Sequence, residues 1–255
     1  MSTDLTVVVT VHDQTAVCGP TMDAVDLAVG AVRARGRTVQ PVIALAAATE
    51  VTGRYVDQPC FDHWERRRLP SRDPGRVRNA IAEQSEGRHL AFVEAGDLIS
   101  ENWLEESLAV LDAAAGRGER VIAHPELDVV FDGRTEVRRS VAQDHRLFTP
   151  HHLYAEGYYP SSCVAPRAAH LEVPYTPQED VDRSDGDAGS CRELQWSIET
   201  MAAGWRHVVV PDTILFRRHR DLFATATRPE RPSLPGALPA MAIDRVRDLG
   251  RVHPA

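Results

Sequence analysis

The sequence predicts an α/β fold: a Rossmann-type mixed sheet flanked by helices, in a single domain. Three observations predict it. The first part of the chain reads as strand, helix, strand, which is a βαβ unit. A second short apolar run, His89 to Val93, is again followed by an amphipathic helical stretch. The remainder is mixed and loop-rich, as expected of a half that builds a site at the strand ends.

Taken in order, Leu5 to Val11 (LTVVVTV) is β-branched and nearly all apolar, which suits a strand buried on both faces of a parallel sheet. Cys18-Gly19-Pro20 reads as a loop. Met22, Val25, Val29 and Val32 then recur at helical spacing and stop near Gly36. Val39 to Leu45 reads as a second strand, weakened by Pro41. Asp57 to Pro74, with Arg66-Arg67-Arg68, reads as a polar loop, and Arg76 to Gln84 as a helix. His89 to Val93 runs into the turn-like acidic segment Glu94-Ala95-Gly96-Asp97. A helix follows from Glu101 to about Ala115, with Trp103, Leu104, Leu108 and Leu111 on one stripe. Glu119 to Val130 is a strand, closed by the hairpin-type turn Asp132-Gly133. Gln143 to Ser190 carries loop signals, including the acidic run Gln178 to Asp187. Adjacent His151 and His152, taken as strand residues, point apart and do not share one metal ion. Glu193 to Ala203 is a helix stopped by Gly204, and two strands, Arg206 to Val210 and Thr213 to Phe216, flank Pro211. Pro229, Pro232, Pro235 and Pro239 mark a tail with a short helix near Ala240 to Leu249.

The chain has 255 residues, a formal net charge of −8 and no lysine. That charge and the absence of a basic block argue against a duplex nucleic-acid surface, but leave room for a small anionic ligand held by one or two arginines. The four cysteines are scattered and form no C-x-x-C pair. No apolar run reaches the ~18 residues a membrane helix needs. With no secretory leader pattern at the N-terminus, a soluble, cytoplasmic protein with reduced thiols is expected.

One set of motifs is more specific. Arg78-Asn79, an amphipathic spacer, Phe92-Val93, Glu94-Ala95-Gly96-Asp97 and then Asn102-Trp103-Leu104 resemble the family 2 glycosyltransferases of the GT-A fold. A second block is similar to that family's C-terminal half: Glu193-Leu194-Gln195-Trp196, Ala203-Gly204-Trp205, Val210-Pro211 and Phe216-Arg217-Arg218-His219. Leu5 to Asp13 also resembles its first strand and nucleotide-facing loop.

The resemblance implies a GT-A-like domain over residues 1–228, with a nucleotide-binding half (1–115) and an acceptor and catalytic half (116–228), before a Pro-rich tail (229–255). It implies transfer of a sugar, with inversion, from a UDP-, GDP- or dTDP-linked donor to a small-molecule or glycan hydroxyl. Val11, His12, Asp13, Arg78 and Glu94 would meet the nucleotide. Asp97, Glu94 and His219 would ligate Mg²⁺ or Mn²⁺, the metal bridging phosphate oxygens. Glu193 would take the proton from the acceptor hydroxyl.

The sequence departs from the family pattern in three places. Gly96 stands where an aspartate is usual, and Arg192 replaces the first acid of the pair ending in Glu193. Ala46-Ala47-Ala48-Thr49 replaces the aspartates that read uracil. These departures motivate an alternative, a GT-A-like nucleotide-binding or scaffold protein without catalysis. A nucleotidyltransferase reading lacks support, because the sequence has no Gly-rich phosphate loop with lysine.

Overall fold

In a computed structural model the structure is described for residues 3–133, 135–154, 157–177 and 188–219, without the side chains of Tyr154 and residues 188–193. The acidic run and the expected C-terminal tail lie outside the described residues.

The expected first unit is present. Strand β1 (Leu5–Val11) is buried along its whole length, α1 spans Thr15–Ala34, and β2 (Val39–Ala46) lies parallel to β1. The loop expected at Cys18-Gly19-Pro20 is instead part of α1. Packing overrides the local turn preference there: Cys18, Thr21 and Met22 are all 0% exposed. A Cβ on Gly19 would come within 2.6 Å of the Tyr55 hydroxyl, so only glycine lets that ring approach. Pro41 is tolerated in β2 because β3 (Glu65–Leu69) begins its pairing only at Val42. Arg66, Arg67 and Arg68 therefore sit on an edge strand rather than a loop, each in an ion pair with Asp57, Asp62 or Glu65. The short α2 (Glu50–Val56), capped by Thr49, carries too few apolar positions to show a period in the sequence.

Helix α3 (Pro74–Gln84) starts with Asp73 accepting from the Arg76 amide at 2.8 Å and Pro74 in its first turn. Strand β4 (His89–Glu94), the two-residue β5 (Leu98–Ile99) and α4 (Trp103–Gly116) follow. Trp103, Leu104, Leu108 and Leu111 form the buried stripe expected of α4. Strand β6 (Val121–Phe131) turns at Asp132 and Gly133, both at positive φ, into β7 (Glu136–Arg139). The loop-rich stretch holds a 3-10 turn at Pro150–Tyr154, strand β8 (Val164–Pro166) and helix α5 (Arg167–Glu172). His151 and His152 thus belong to a helical turn, not a strand. Helix α6 spans Ala188–Ala202. The two strands expected around Pro211 are one, β9 (Arg206–Arg218), because an irregularity against β6 absorbs Pro211 and Asp212 without breaking the pairing.

The strands form one sheet in the order β3-β2-β1-β4-β8-β6-β9-β5, with β7 added to β6. Alternate residues of β1 face two helical layers: Val7 and Val9 pack with α1 and α4, and Val8 packs with α3. Beyond α3, α5 and α6 cover β8 and β6 through Ala169, Trp196 and Ile122.

Three histidines are locked inside this core. Burial holds His124 well below its usual range and pushes His170 and His207 down to about 3. An unfolded chain binds a proton at each near pH 6.5, and the native chain does not. The unfolded state therefore gains protons as pH falls below that value, and stability drops by ~1.4 kcal/mol per pH unit for each of them, ~4 for the three. Urea denaturation between pH 6 and 5 should show that steep loss; a slope equal to one proton or less would contradict neutral burial of the set.

Candidate active site

The pairings fix one common edge. β1, β2, β3 and β4 are parallel, β8 is antiparallel to both β4 and β6, and β6 is parallel to β9. The carboxyl ends of β1, β2, β3, β4, β6 and β9 consequently share one edge, the usual ligand edge of an open α/β sheet. Glu94 ends β4 and Arg218 ends β9, and Val11 ends β1 with His12 and Asp13 beyond it. All lie on this edge.

Its centre is a buried ion pair. Arg78 on α3 is 2% exposed and donates to Glu94 Oε1 at 3.1 Å. The guanidinium carbon lies 5.1 Å from the centre of the Tyr175 ring and 5.7 Å from that of Phe92, both within cation–π range. The next residue, Asn79, clamps the second half of the chain. Its side-chain amide donates to the Tyr175 carbonyl and accepts from the Tyr175 amide, each at 2.8 Å. The expected Arg-Asn pair thus has two jobs here: Arg78 holds Glu94, and Asn79 holds Tyr175 against α3.

The acidic turn is equally determined. Gly96 has φ 102°, its amide donates to Thr21 Oγ1 at 2.8 Å, and a Cβ would meet Arg218 Cδ at 3.4 Å and Val17 Cγ2 at 3.5 Å. The missing aspartate at this position has a backbone cause, since such a φ is open to glycine and costly for other residues. Asp97, 1% exposed, accepts from the Arg218 amide at 3.0 Å, which ties the turn to the end of β9. His219 follows, its amide bound to the Phe131 carbonyl at 2.8 Å.

On the far side, His12 Nδ1 lies 2.8 Å from the Ala46 carbonyl. A carbonyl only accepts, so Nδ1 carries the hydrogen, and in the neutral ring Nε2 is left as an acceptor. Asp13 pairs with Arg72 at 3.2 Å across the end of β2. Glu193 stands in the first turns of α6, its side chain outside the described residues. Gln195, two residues on, donates to Thr176 Oγ1 at 3.2 Å, and the Thr176 carbonyl abuts Gly75 in the first turn of α3. The N-terminal part of α6 is thereby brought to the edge that carries Arg78 and Glu94.

Sequence reasoning missed Tyr175 and the buried histidines, and it met Arg218 only within the Phe216-Arg217-Arg218-His219 motif, with no role of its own. His124 and His207 each interrupt an apolar strand run (VIAH, RHVVV), which is the one signal that marks them. Tyr175 carries none, and nothing in the sequence marks the contact of Arg218 with the acidic turn, because their partners, 96 and 122 residues away, meet them only in the fold.

Among the described residues no group of three or more His, Cys, Asp or Glu side chains is set to hold a metal ion. Glu94 is bound to Arg78 and Asp97 to the Arg218 amide, so the two carboxylates of the turn are held by the protein itself. The expected set of Asp97, Glu94 and His219 is not preassembled here.

Two substitutions test this geometry. Glu94→Ala leaves Arg78 as an uncompensated buried cation and should cost about 3–5 kcal/mol in denaturant unfolding. Arg78→Ala should cost a similar amount, and the double variant clearly less than the sum. Gly96→Asp, which restores the usual carboxylate, should lose about 1–3 kcal/mol through the strained φ; unchanged stability would show that the turn accepts a side chain.

No family model matches the chain, and no curated protein matches it in sequence. Solved structures do match in fold. Against S. aureus TarS 1-349 in complex with UDP-GlcNAc the TM-score is 0.62 at 14% identity, covering 92% of this chain and 61% of that one. GalNAc-T7 with UDP, GalNAc and Mn²⁺ gives 0.59 at 14% identity, covering 86% and 44%. The mannosyltransferase PcManGT from Pyrobaculum calidifontis with GDP-Man and Mn²⁺ gives 0.57 at 12% identity, covering 85% and 57%. The chain spans about 60% of the TarS fragment and less of the other two. The architecture is that of the GT-A glycosyltransferases.

Proposed function

We propose that this chain is a glycosyltransferase that moves a sugar from a nucleoside diphosphate donor to a hydroxyl acceptor with inversion. One observation carries the reading. The Arg78–Glu94 pair, the Asp97 turn and the N-terminal part of α6 converge on the carboxyl edge of a GT-A-like sheet. UDP-GlcNAc and GDP-Man, bound in neighbouring structures, support UDP- and GDP-sugars as the donor classes of this reading, with dTDP-sugars the third class to test.

In this reading the nucleotide lies along Val11, His12 and Asp13, and Arg78 keeps the Glu94 carboxylate aimed at it. The accepting Nε2 of His12 offers the base a hydrogen-bond partner where the usual aspartates are replaced by Ala46 to Thr49. Glu193 takes the proton of the attacking hydroxyl, so that attack on the face opposite the leaving diphosphate inverts the anomeric carbon. A divalent cation, Mg²⁺ or Mn²⁺, enters through the two neighbours solved with Mn²⁺. It would neutralise charge on the departing diphosphate. Asp97, Glu94 and His219 are the groups this chain would offer it, although the described residues present no ready three-ligand set.

A second reading, a GT-A-like nucleotide-binding or scaffold protein without catalysis, is favoured by the same carboxylates being engaged within the protein. Two measurements separate the readings. A hydrolysis panel over UDP-, GDP- and dTDP-sugars should reveal one accepted donor. Glu193→Ala should abolish transfer while nucleotide affinity by calorimetry, with and without Mn²⁺, stays within about threefold, the signature of a group used only in the reaction. Full activity in that variant removes Glu193 from the mechanism, and failure to bind any nucleotide favours the scaffold.

A further inference from the structure

Where α6 lies on the sheet, three side chains form a continuous buried chain. Thr200 Oγ1 is 2.9 Å from His207 Nε2, and His207 Nδ1 is 2.8 Å from His124 Nε2. The two imidazole planes are within 15° of each other, and the Tyr159 ring lies over both, 4.1 Å from His124 and 5.1 Å from His207. Thr200 and His207 are fully buried and His124 is 1% exposed. The chain joins α6 to β9 and then to β6.

The hydrogens can be assigned from the partners. Thr200 has one hydroxyl hydrogen, and its oxygen also lies 2.7 Å from the Trp196 carbonyl and 3.0 Å from the Ser197 carbonyl. Carbonyls only accept, so that hydrogen goes to the helix backbone and Thr200 accepts from His207 Nε2–H. A neutral His207 then has a bare Nδ1, which accepts from His124 Nε2–H. Every link runs in one direction, and one ring alone in the other tautomer breaks it; the reverse chain, with Thr200 donating and both rings Nδ1–H, would leave the buried His124 Nδ1–H with no acceptor among the described residues. Burial keeps both rings neutral, as the chain requires. The backbone adds a second clasp: Gln143 Oε1 accepts from the His207 amide, and the Gln143 amide donates to the His207 carbonyl, each at 3.0 Å.

We propose that His207 and His124 are positioning residues: as a tautomer-locked pair they dock α6, and with it the backbone that carries Glu193, onto β9 and β6. Glu193 stands seven residues before Thr200 on the same helix, about two turns away, so the seat of Thr200 sets where the first turns of α6 end. The docking role stands on the bond chain alone, and its consequence for turnover rests on the transferase reading above.

Imidazole ¹⁵N spectra at neutral pH should show Nε2–H with unprotonated Nδ1 on both His124 and His207. Thr200→Val keeps the shape of the side chain and removes the accepting oxygen. In that variant the amides of residues 194–202 should exchange about tenfold faster, a local opening below the global stability. Donor hydrolysis should lose about tenfold in kcat with KM within about twofold, because the donor site is untouched. Thr200→Ser restores the oxygen and should recover both. His124→Phe keeps the packing and should speed exchange in α6 through His207. An Nδ1–H tautomer on either ring, or unchanged α6 exchange in Thr200→Val, overturns the docking role. Faster exchange with unchanged kcat overturns the positioning of Glu193 while leaving the docking intact. If the chain hydrolyses no donor, the transferase reading fails separately, and the spectra and exchange still decide the docking. Should Thr200→Val not fold, the spectra of the unmodified chain and exchange in His124→Phe decide it.

Discussion

Arg78 is a cation almost fully withdrawn from water, and the arrangement of the sheet's carboxyl edge follows from meeting its charge. Leaving a charge alone in a protein interior is prohibitive, so Glu94 must stand at the end of β4 to receive it. The guanidinium faces must also be covered, which Phe92 does from the sheet and Tyr175 from the second half of the chain. Tyr175 is held there by both amide groups of Asn79. One dipeptide on α3 therefore sets the carboxylate at the end of β4 and pins Tyr175, from the second half of the chain, against α3.

The opposite side of the sheet edge is organised by backbone conformation rather than by an ion pair. The positive φ of Gly96 turns the chain so that its amide reaches Thr21 and Asp97 reaches the Arg218 amide. A Cβ at position 96 would only touch Val17 and Arg218, so it is the positive φ that reserves the place for glycine. The turn keeps the place of an acidic motif while giving up one carboxylate, and the loss has a conformational explanation. The same economy governs the edge strands. The arginines of β3 are answered by Asp57, Asp62 and Glu65, which leaves an edge unsuited to pairing with another strand.

Much of this was legible in the residues. The β-branched run of β1, the stripe of α4 and the hairpin at Asp132-Gly133 are local patterns whose burial follows directly from period and turn chemistry. The misreadings share one cause. Pro20 inside α1, β3 at the arginine run and the unbroken β9 all run against local preference, and long-range packing decides them. Candidate site residues were legible as types, an arginine before an acidic turn and a histidine after an arginine pair. Their partners were not.

What the sequence determined by itself was the α/β class, the order of the first strands and helices, and the position of the acidic turn, because each depends on residues within a few turns or a few strand residues of one another. Only the tertiary structure decided that Arg78 faces Glu94 and Tyr175, that Asp97 meets the end of β9, and that His124, His207 and Thr200 form one chain. Those pairs are separated by as many as 121 residues. No local pattern records them, since what selects each partner is the demand of a buried polar group for its complement at the place where the sheet brings distant strands together.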